Sequence, residues 1–175
     1  MNTALRLLLA LTVAFAVAAC RKDTQEEATA EPTPADTTAP VTTDAAPDPR
    51  DYSDARNFDN PESLLSKRVV YFDFDKSEVK PEYRSIVAAH ASYATAHTSA
   101  RITLEGHADE RGTREYNLGL GERRGNAVNG VMSAGGARGD QLSVVSYGEE
   151  RPICRVSDDD CWGQNRRVEI VYTAK

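Results

Sequence analysis

The chain has 175 residues, with 21 Lys and Arg against 27 Asp and Glu, and a formal net charge of −6. A mildly acidic chain has no general attraction for nucleic acid. Beyond the first twenty residues no apolar run approaches the roughly 20 residues that a membrane-spanning helix needs.

The N-terminus has three parts. Arg6 supplies a positive charge, Leu7 to Val17 is apolar, and Val17-Ala18-Ala19 places small residues before Cys20. This is the layout of a secretory signal peptide over residues 1–19, whose apolar core is too short to span a bilayer. A cysteine directly after small residues resembles the bacterial lipobox, in which that cysteine is lipidated and begins the mature chain. An ordinary signal peptide with an incidental cysteine is the alternative. Acyl chains on Cys20 would anchor the protein stably, since each buried methylene contributes about 0.8 kcal/mol and two or more chains suffice. Arg21, not Asp, follows Cys20, which by the same resemblance favours the outer membrane, with the chain facing the periplasm.

Residues 20–66 are expected to be the lipidated N-terminus and a disordered linker. Thr, Ala, Pro, Asp and Glu dominate from Arg21 to about Asn60, and no aromatic occurs between Arg21 and Tyr52. Such a segment buries too little apolar surface to offset its ordering entropy. Forty residues of flexible chain have an r.m.s. span of roughly 35 Å, the reach of a tether.

Residues 67–175 read as one domain. Val69 to Phe74 is a strand with Val70, Phe72 and Phe74 on one face and Asp73 on the other. Pro81 suits a first helical turn, after which Tyr83, Ile86, Val87, His90, Ala91 and Ala94 recur at helical spacing. Arg101 to Gly106 alternates again, with Ile102 and Leu104 inward. A polar loop, His107 to Thr113, precedes a helix over Arg114 to Met132, which Gly135-Gly136 stops. Leu142 to Tyr147 and Val168 to Tyr172 are the last strands. The order βαβαββ predicts an α/β (α+β) two-layer sandwich of two main helices on a small mixed four-stranded sheet. Cys154 and Cys161, in a compartment reached by secretion, are expected to form a disulfide that braces its loop by about 2–3 kcal/mol.

The second helix carries the most informative residue. Leu120, Ala127, Val128 and Val131 fall on one stripe at about 100° per residue, and Arg124 lies inside it while Arg123 points off its flank. A buried guanidinium must find a partner. It is either paired internally with an Asp or Glu or presented to an anionic ligand. The preceding loop ends a strand and opens a helix, where backbone N–H groups favour an anion. Asp109 at its tip could receive an ammonium group or cap its own turn. Asn117 lies on the same side as Arg124. Carboxylate, guanidinium and backbone amides around one cleft suit a zwitterionic ligand such as an amino acid.

Several ordered stretches then carry a family resemblance. They are Tyr71-Phe72-Asp73-Phe74-Asp75, Glu105 to Thr113, Tyr116-Asn117, Leu120-Gly121-Glu122-Arg123-Arg124, Val144 to Gly148, and Asn165-Arg166-Arg167-Val168. Together they resemble the peptidoglycan-associated lipoproteins and the wider OmpA-like family, from about Val69 to Tyr172. The resemblance implies non-covalent binding of the peptidoglycan stem peptide at diaminopimelate, a partner TolB with other Tol-system proteins, and a role in envelope integrity and cell division. By position it makes Asp109 the ligand-binding aspartate and Arg124 the carboxylate-binding arginine. Phe72, Asp73, Asp75, His107, Ala108, Asn117 and Leu118 also sit in motif positions around the family's cleft. Arg166 and Arg167 are either ion pairs supporting strand and loop or ligand contacts. The segment Pro152 to Trp162, with Asp158-Asp159-Asp160, departs from the family's usual loop; the acidic run is either a weak cation site or a solvated loop.

Two other readings compete. A metal-dependent hydrolase would need a ligand set, yet His107, Asp109 and Glu110 share one short loop, and His90 and His97 are seven apart on a helix. No paired ligand motif and no nucleophile–base set accompanies them, and no cofactor is implied. The remaining reading is a structural lipoprotein that binds only envelope proteins.

Overall fold

Apolar residues that recur every second position in β2 and every third or fourth in the helices leave one face of each element in need of cover. In the computed structural model, which describes residues 45–175, the elements are β1 (Val69–Tyr71), α1 (Pro81–Ala96), β2 (Arg101–His107), α2 (Arg114–Ala134), β3 (Leu142–Gly148), α3 (Asp159–Asn165) and β4 (Arg167–Ala174). The expected signal peptide, Cys20 and the linker to residue 44 lie outside the described residues.

The four strands form one mixed sheet in the order β1-β4-β2-β3. β4 runs antiparallel to both β1 and β2, and β3 runs parallel to β2. The two long helices and the inward side chains Val70, Ile102, Leu104, Val168 and Ile170 enclose the core with Val87, Ala91, Val128 and Met132. The expected two-layer α/β sandwich is therefore present, with the short α3 added in the segment after β3.

Sequence and structure part at three places. The first strand ends at Tyr71 rather than Phe74. Phe72 still donates its N–H to the Arg166 carbonyl at 2.9 Å, but the Lys76 N–H then closes a turn on the Asp73 carbonyl at 3.2 Å, and Asp75 has φ +56°. The two-residue alternation is lost in that turn, so Phe74 is 56% exposed instead of facing the core.

The expected linker, in turn, is ordered well before residue 67. Single helical turns at Ala55–Phe58 and Leu64–Ser66 are capped by the side chains of Asp54 and Ser63. Phe58 and Leu65 are buried with Ala89, Tyr93 and Ala100, on a part of α1 separate from the main core. A few well-spaced apolar residues decide this, and an average over a Pro- and Asp-rich segment hides them. The third difference, α3, is nucleated by Asp158, whose side chain accepts the Cys161 N–H at 2.8 Å.

The outer core contains His90. Its Nδ1 pairs with the Tyr172 hydroxyl at 2.9 Å and its Nε2 with the Lys67 carbonyl at 3.0 Å. Burial pushes its pKa down to about 4. His97 closes α1 and stacks on Tyr93 with ring centroids 4.1 Å apart. Both histidines are structural.

Candidate ligand-binding site

The β2–α2 loop is held in place from two sides. At its start β3 carries an extra residue, so that Gly106 faces Ser146 but His107 faces Gly148. A bulge of this kind bends the strand and re-aims the residues beyond it. The Ala108 N–H then donates to the Gly148 carbonyl at 2.8 Å. At the loop's far end Thr113 caps α2 by accepting the Tyr116 N–H at 3.2 Å. Between them the Asn117 amide donates to the carbonyls of Asp109 and Arg111 at 3.1 and 3.2 Å and to Glu149 at 2.5 Å. Asn117 thus pins the loop.

A cavity of about 200 Å³ opens beside this loop, lined by Phe74, Asp75, Asp109, Arg111, Tyr116 and Asn117 with Gly112 and Leu120. Asp109 is 4% exposed. Its carboxylate accepts from Arg111 Nε and Nη2 at 3.1 and 2.9 Å, from the Arg111 backbone N–H at 3.1 Å, and from Arg166 Nη1 at 3.2 Å. Burial pushes its pKa up, but the Arg111 and Arg166 contacts outweigh it and hold the carboxyl below its usual value. Asp109 therefore caps its own loop and also presents an ionised carboxylate to the cavity. Tyr116 donates its hydroxyl to Asp75 across the opening.

Arg124 lies beneath the cavity rather than in its lining, and is 0% exposed. Its place on the inward stripe of α2 predicts an Asp or Glu, or a ligand anion, as its partner. Instead three backbone carbonyls accept its guanidinium: Lys76 at 2.9 Å, His107 at 2.8 Å and Asp73 at 3.1 Å. Carbonyl dipoles at chain turns satisfy a buried cation as a carboxylate would, and sequence does not show where they point. Burial lowers its pKa to about 10, which leaves it charged. Its guanidinium carbon sits 5.3 Å from the ring centroid of buried Phe72. Arg123 is exposed, 5.4 Å from the Tyr116 ring centroid.

Of the remaining expected residues, Asp75 and Asn117 line the cavity, whereas Phe72 and the Asp73 carbonyl are outside its lining, in contact with the buried Arg124. The Asp73 side chain turns away to Lys80 at 2.8 Å. Ala108 contributes its backbone. Leu118 and His107 are not brought to the cavity. Leu118 is 46% exposed, and its carbonyl accepts the Ser146 hydroxyl at 2.6 Å. His107 is buried against Tyr147, ring centroids 5.5 Å apart, with burial pushing its pKa to about 4. They miss because consecutive residues of a strand, and residues 100° apart on a helix, leave on different faces.

Arg166 supports the site through Asp109 and the Phe72 carbonyl at 3.1 Å, whereas Arg167 pairs with Glu169 at 2.7 Å on the strand. The Cys154–Cys161 disulfide is formed. Asp158 caps α3, and the rest of the acidic run is exposed. Among the described residues no group of three His, Cys, Asp or Glu could hold a metal ion. Sequence reading passed over Arg111, Tyr116 and Phe74. A positive residue two after a loop aspartate, followed by an aromatic in the first helical turn, was the available signal.

The model of the OmpA family matches residues 71–166, more than half of the chain and all of the cleft. The chain belongs to the OmpA family. It is 49% identical over 108 residues to the peptidoglycan-associated lipoprotein of Pseudomonas putida, an alignment covering 62% of this chain and 64% of that one. The chain thus spans a little under two thirds of that relative's length. To the peptidoglycan-associated lipoprotein of Haemophilus influenzae it is 45% identical over 103 residues, covering 59% and 67%. The crystal structure of the peptidoglycan-associated lipoprotein from Burkholderia pseudomallei superposes with TM-score 0.65 at 42% identity, covering 66% of this chain and 98% of that one. The C-terminal domain of Helicobacter pylori MotB shares the fold, with TM-score 0.56 at 21% identity.

Proposed function

We propose that this chain is an outer-membrane lipoprotein, anchored through acyl chains on Cys20, whose OmpA-like domain holds peptidoglycan non-covalently by the diaminopimelate of the stem peptide. The observation that carries this reading is the buried Asp109 carboxylate, ionised at the edge of a cavity of about 200 Å³ in a chain whose relatives are peptidoglycan-associated lipoproteins. An ammonium group entering the cavity meets Asp109 and Asp75. An amino-acid carboxylate meets Arg111, while Arg124, buried and held by three backbone carbonyls, adds positive charge from beneath. A small zwitterion matches this pairing of charges better than a sugar or a simple anion. TolB and other Tol-system proteins are the partners expected from the same resemblance, with envelope integrity and cell division as the setting.

The test is sedimentation of the protein with purified sacculi, with free diaminopimelate as competitor. Asp109→Asn keeps size and shape but removes the charge, and is expected to release the protein from the sacculus. Retention of Asp109→Asn on sacculi at wild-type affinity would overturn the site. Cys20→Ser is expected to leave the membrane fraction, and its continued sedimentation with outer membranes would remove the lipid anchor.

A further inference from the structure

The disulfide-closed segment from Cys154 to Asn165 packs against the cleft loop, and its Trp162 meets Arg111 of the cavity lining. The Arg111 guanidinium carbon lies 4.1 Å from the ring centroid of Phe74 and 4.1 Å from that of Trp162. A planar cation held between two aromatic faces has lost most of its rotational freedom. In that orientation its Nε and Nη2 meet the two oxygens of Asp109. Asp159, an exposed alternative partner, is 3.9 Å away.

Trp162 is itself fixed from three directions. Its indole Nε1 donates to Glu110 at 2.9 Å, and Ser157 donates to the same Glu110 oxygen at 2.6 Å. Its backbone N–H donates to the Asp158 carbonyl at 2.9 Å. The neighbouring Cys161 is bonded to Cys154, whose backbone N–H and carbonyl are both held by the Asn165 side chain, at 3.1 and 2.7 Å. The disulfide, the Asn165 clamp and the short helix α3 together set the place of the indole.

We propose that Trp162, carried on the disulfide-closed α3 segment, is a positioning residue for the cleft. It holds Arg111 flat so that Arg111 fixes the Asp109 carboxylate at the cavity edge. The inference rests on the peptidoglycan-binding function proposed for the same cleft. Trp162 does not line the cavity; it acts through Arg111. Without the indole face Arg111 keeps only Phe74, which is exposed, and its guanidinium can swing toward Asp159, leaving Asp109 with Arg166 and the Arg111 backbone N–H.

The test uses the full chain in detergent, with wild type, Trp162→Ala, Trp162→Phe and the Cys154→Ser/Cys161→Ser pair. Affinity for a diaminopimelate-containing stem tripeptide is measured by calorimetry, and the Asp109 carboxyl is titrated by carbon NMR. Trp162→Ala is expected to weaken binding about tenfold and to raise the Asp109 pKa toward the ordinary carboxylate value. Trp162→Phe restores most of the affinity, because it keeps the ring face and loses only the Glu110 bond. The serine pair falls between wild type and Trp162→Ala. A purely structural role would lower the melting temperature without moving the Asp109 titration or giving rescue by phenylalanine. Wild-type affinity in Trp162→Ala, or equal losses in the alanine and phenylalanine variants, overturns the proposal while leaving the binding function intact. Should Trp162→Ala fail to fold, wild-type affinity in the serine pair together with weak binding in Trp162→Phe overturns it equally. If the wild-type protein itself does not bind the tripeptide, the functional reading falls and this inference with it.

Discussion

The guanidinium of Arg124 donates from Nη1 to the backbone carbonyl of His107 at 2.8 Å, which ties α2 to the residue where β2 releases the cleft loop. The same group takes the carbonyls of Asp73 and Lys76 from the β1–α1 turn. One side chain thus joins the two loops on either side of the cavity, and the fold and the site depend on it together.

Arg124→Ala is therefore expected to unfold the domain more easily as well as to loosen the two loops beside the cleft. Three buried carbonyls lose their donor, a loss of about 3 kcal/mol or more. Arg124→Lys keeps the charge, but a single ammonium cannot reach all three carbonyls as a planar fork does, and about half of that loss should remain. Urea unfolding followed by circular dichroism measures both. Wild-type stability in Arg124→Ala would show that the carbonyls find water instead.

Stability should fall with acid through His90. Its pKa is about 4 in the folded domain, from burial, against the ordinary 6.5. Above pH 6.5 both states hold it neutral and its full contribution is present. As pH drops below 6.5 the unfolded chain takes up a proton that the folded one resists, so stability is lost progressively down to about pH 4. The shift amounts to about 3 kcal/mol at the lower end. In His90→Gln the melting temperature should depend less steeply on pH between 7 and 4, at some cost in stability at neutral pH. An unaltered slope would place the acid sensitivity elsewhere, His107 being the next group to replace.

The ordered stretch before β1 predicts that a chain beginning at residue 67 is weaker than one beginning at residue 45. It loses buried Phe58 and Leu65 and leaves Tyr93 and Ala100 uncovered. Two such side chains are worth about 4 kcal/mol. Phe58→Ala in the long chain should reproduce more than half of the difference in thermal unfolding. Equal melting temperatures for the two lengths would mean that this patch contributes nothing.

The contact between β2 and α2 leaves no room for a side chain at Gly106, where a Cβ would stand 2.0 Å from the Gly121 carbonyl oxygen. That oxygen belongs to helix backbone and cannot yield alone. Gly106→Ala should therefore push α2 off the sheet and lower stability by about 2 kcal/mol or more. Because Arg124 rides on the same helix, sacculus binding should weaken in step. Full binding at reduced stability would separate the helix position from the site.

Much of this molecule is decided locally, and the sequence alone carries that part. The alternation in Arg101 to Gly106, the helical spacing from Tyr83 to Ala94 and the glycine stop at Gly135-Gly136 each follow from backbone geometry and side-chain size over a few residues. They yield the two layers and the element order, and the motif around Asp109 marks the cleft loop. The inward stripe likewise identifies Arg124 as buried. What meets Arg124 is a different matter. Three carbonyls from two turns distant in sequence accept it, and carbonyl directions depend on how those turns close. The same reason separates Phe74 from Phe72, hides the packing of Phe58 and Leu65 inside a linker-like composition, and brings Trp162 to Arg111. These are contacts between segments far apart along the chain, and only the packing of the whole domain sets them.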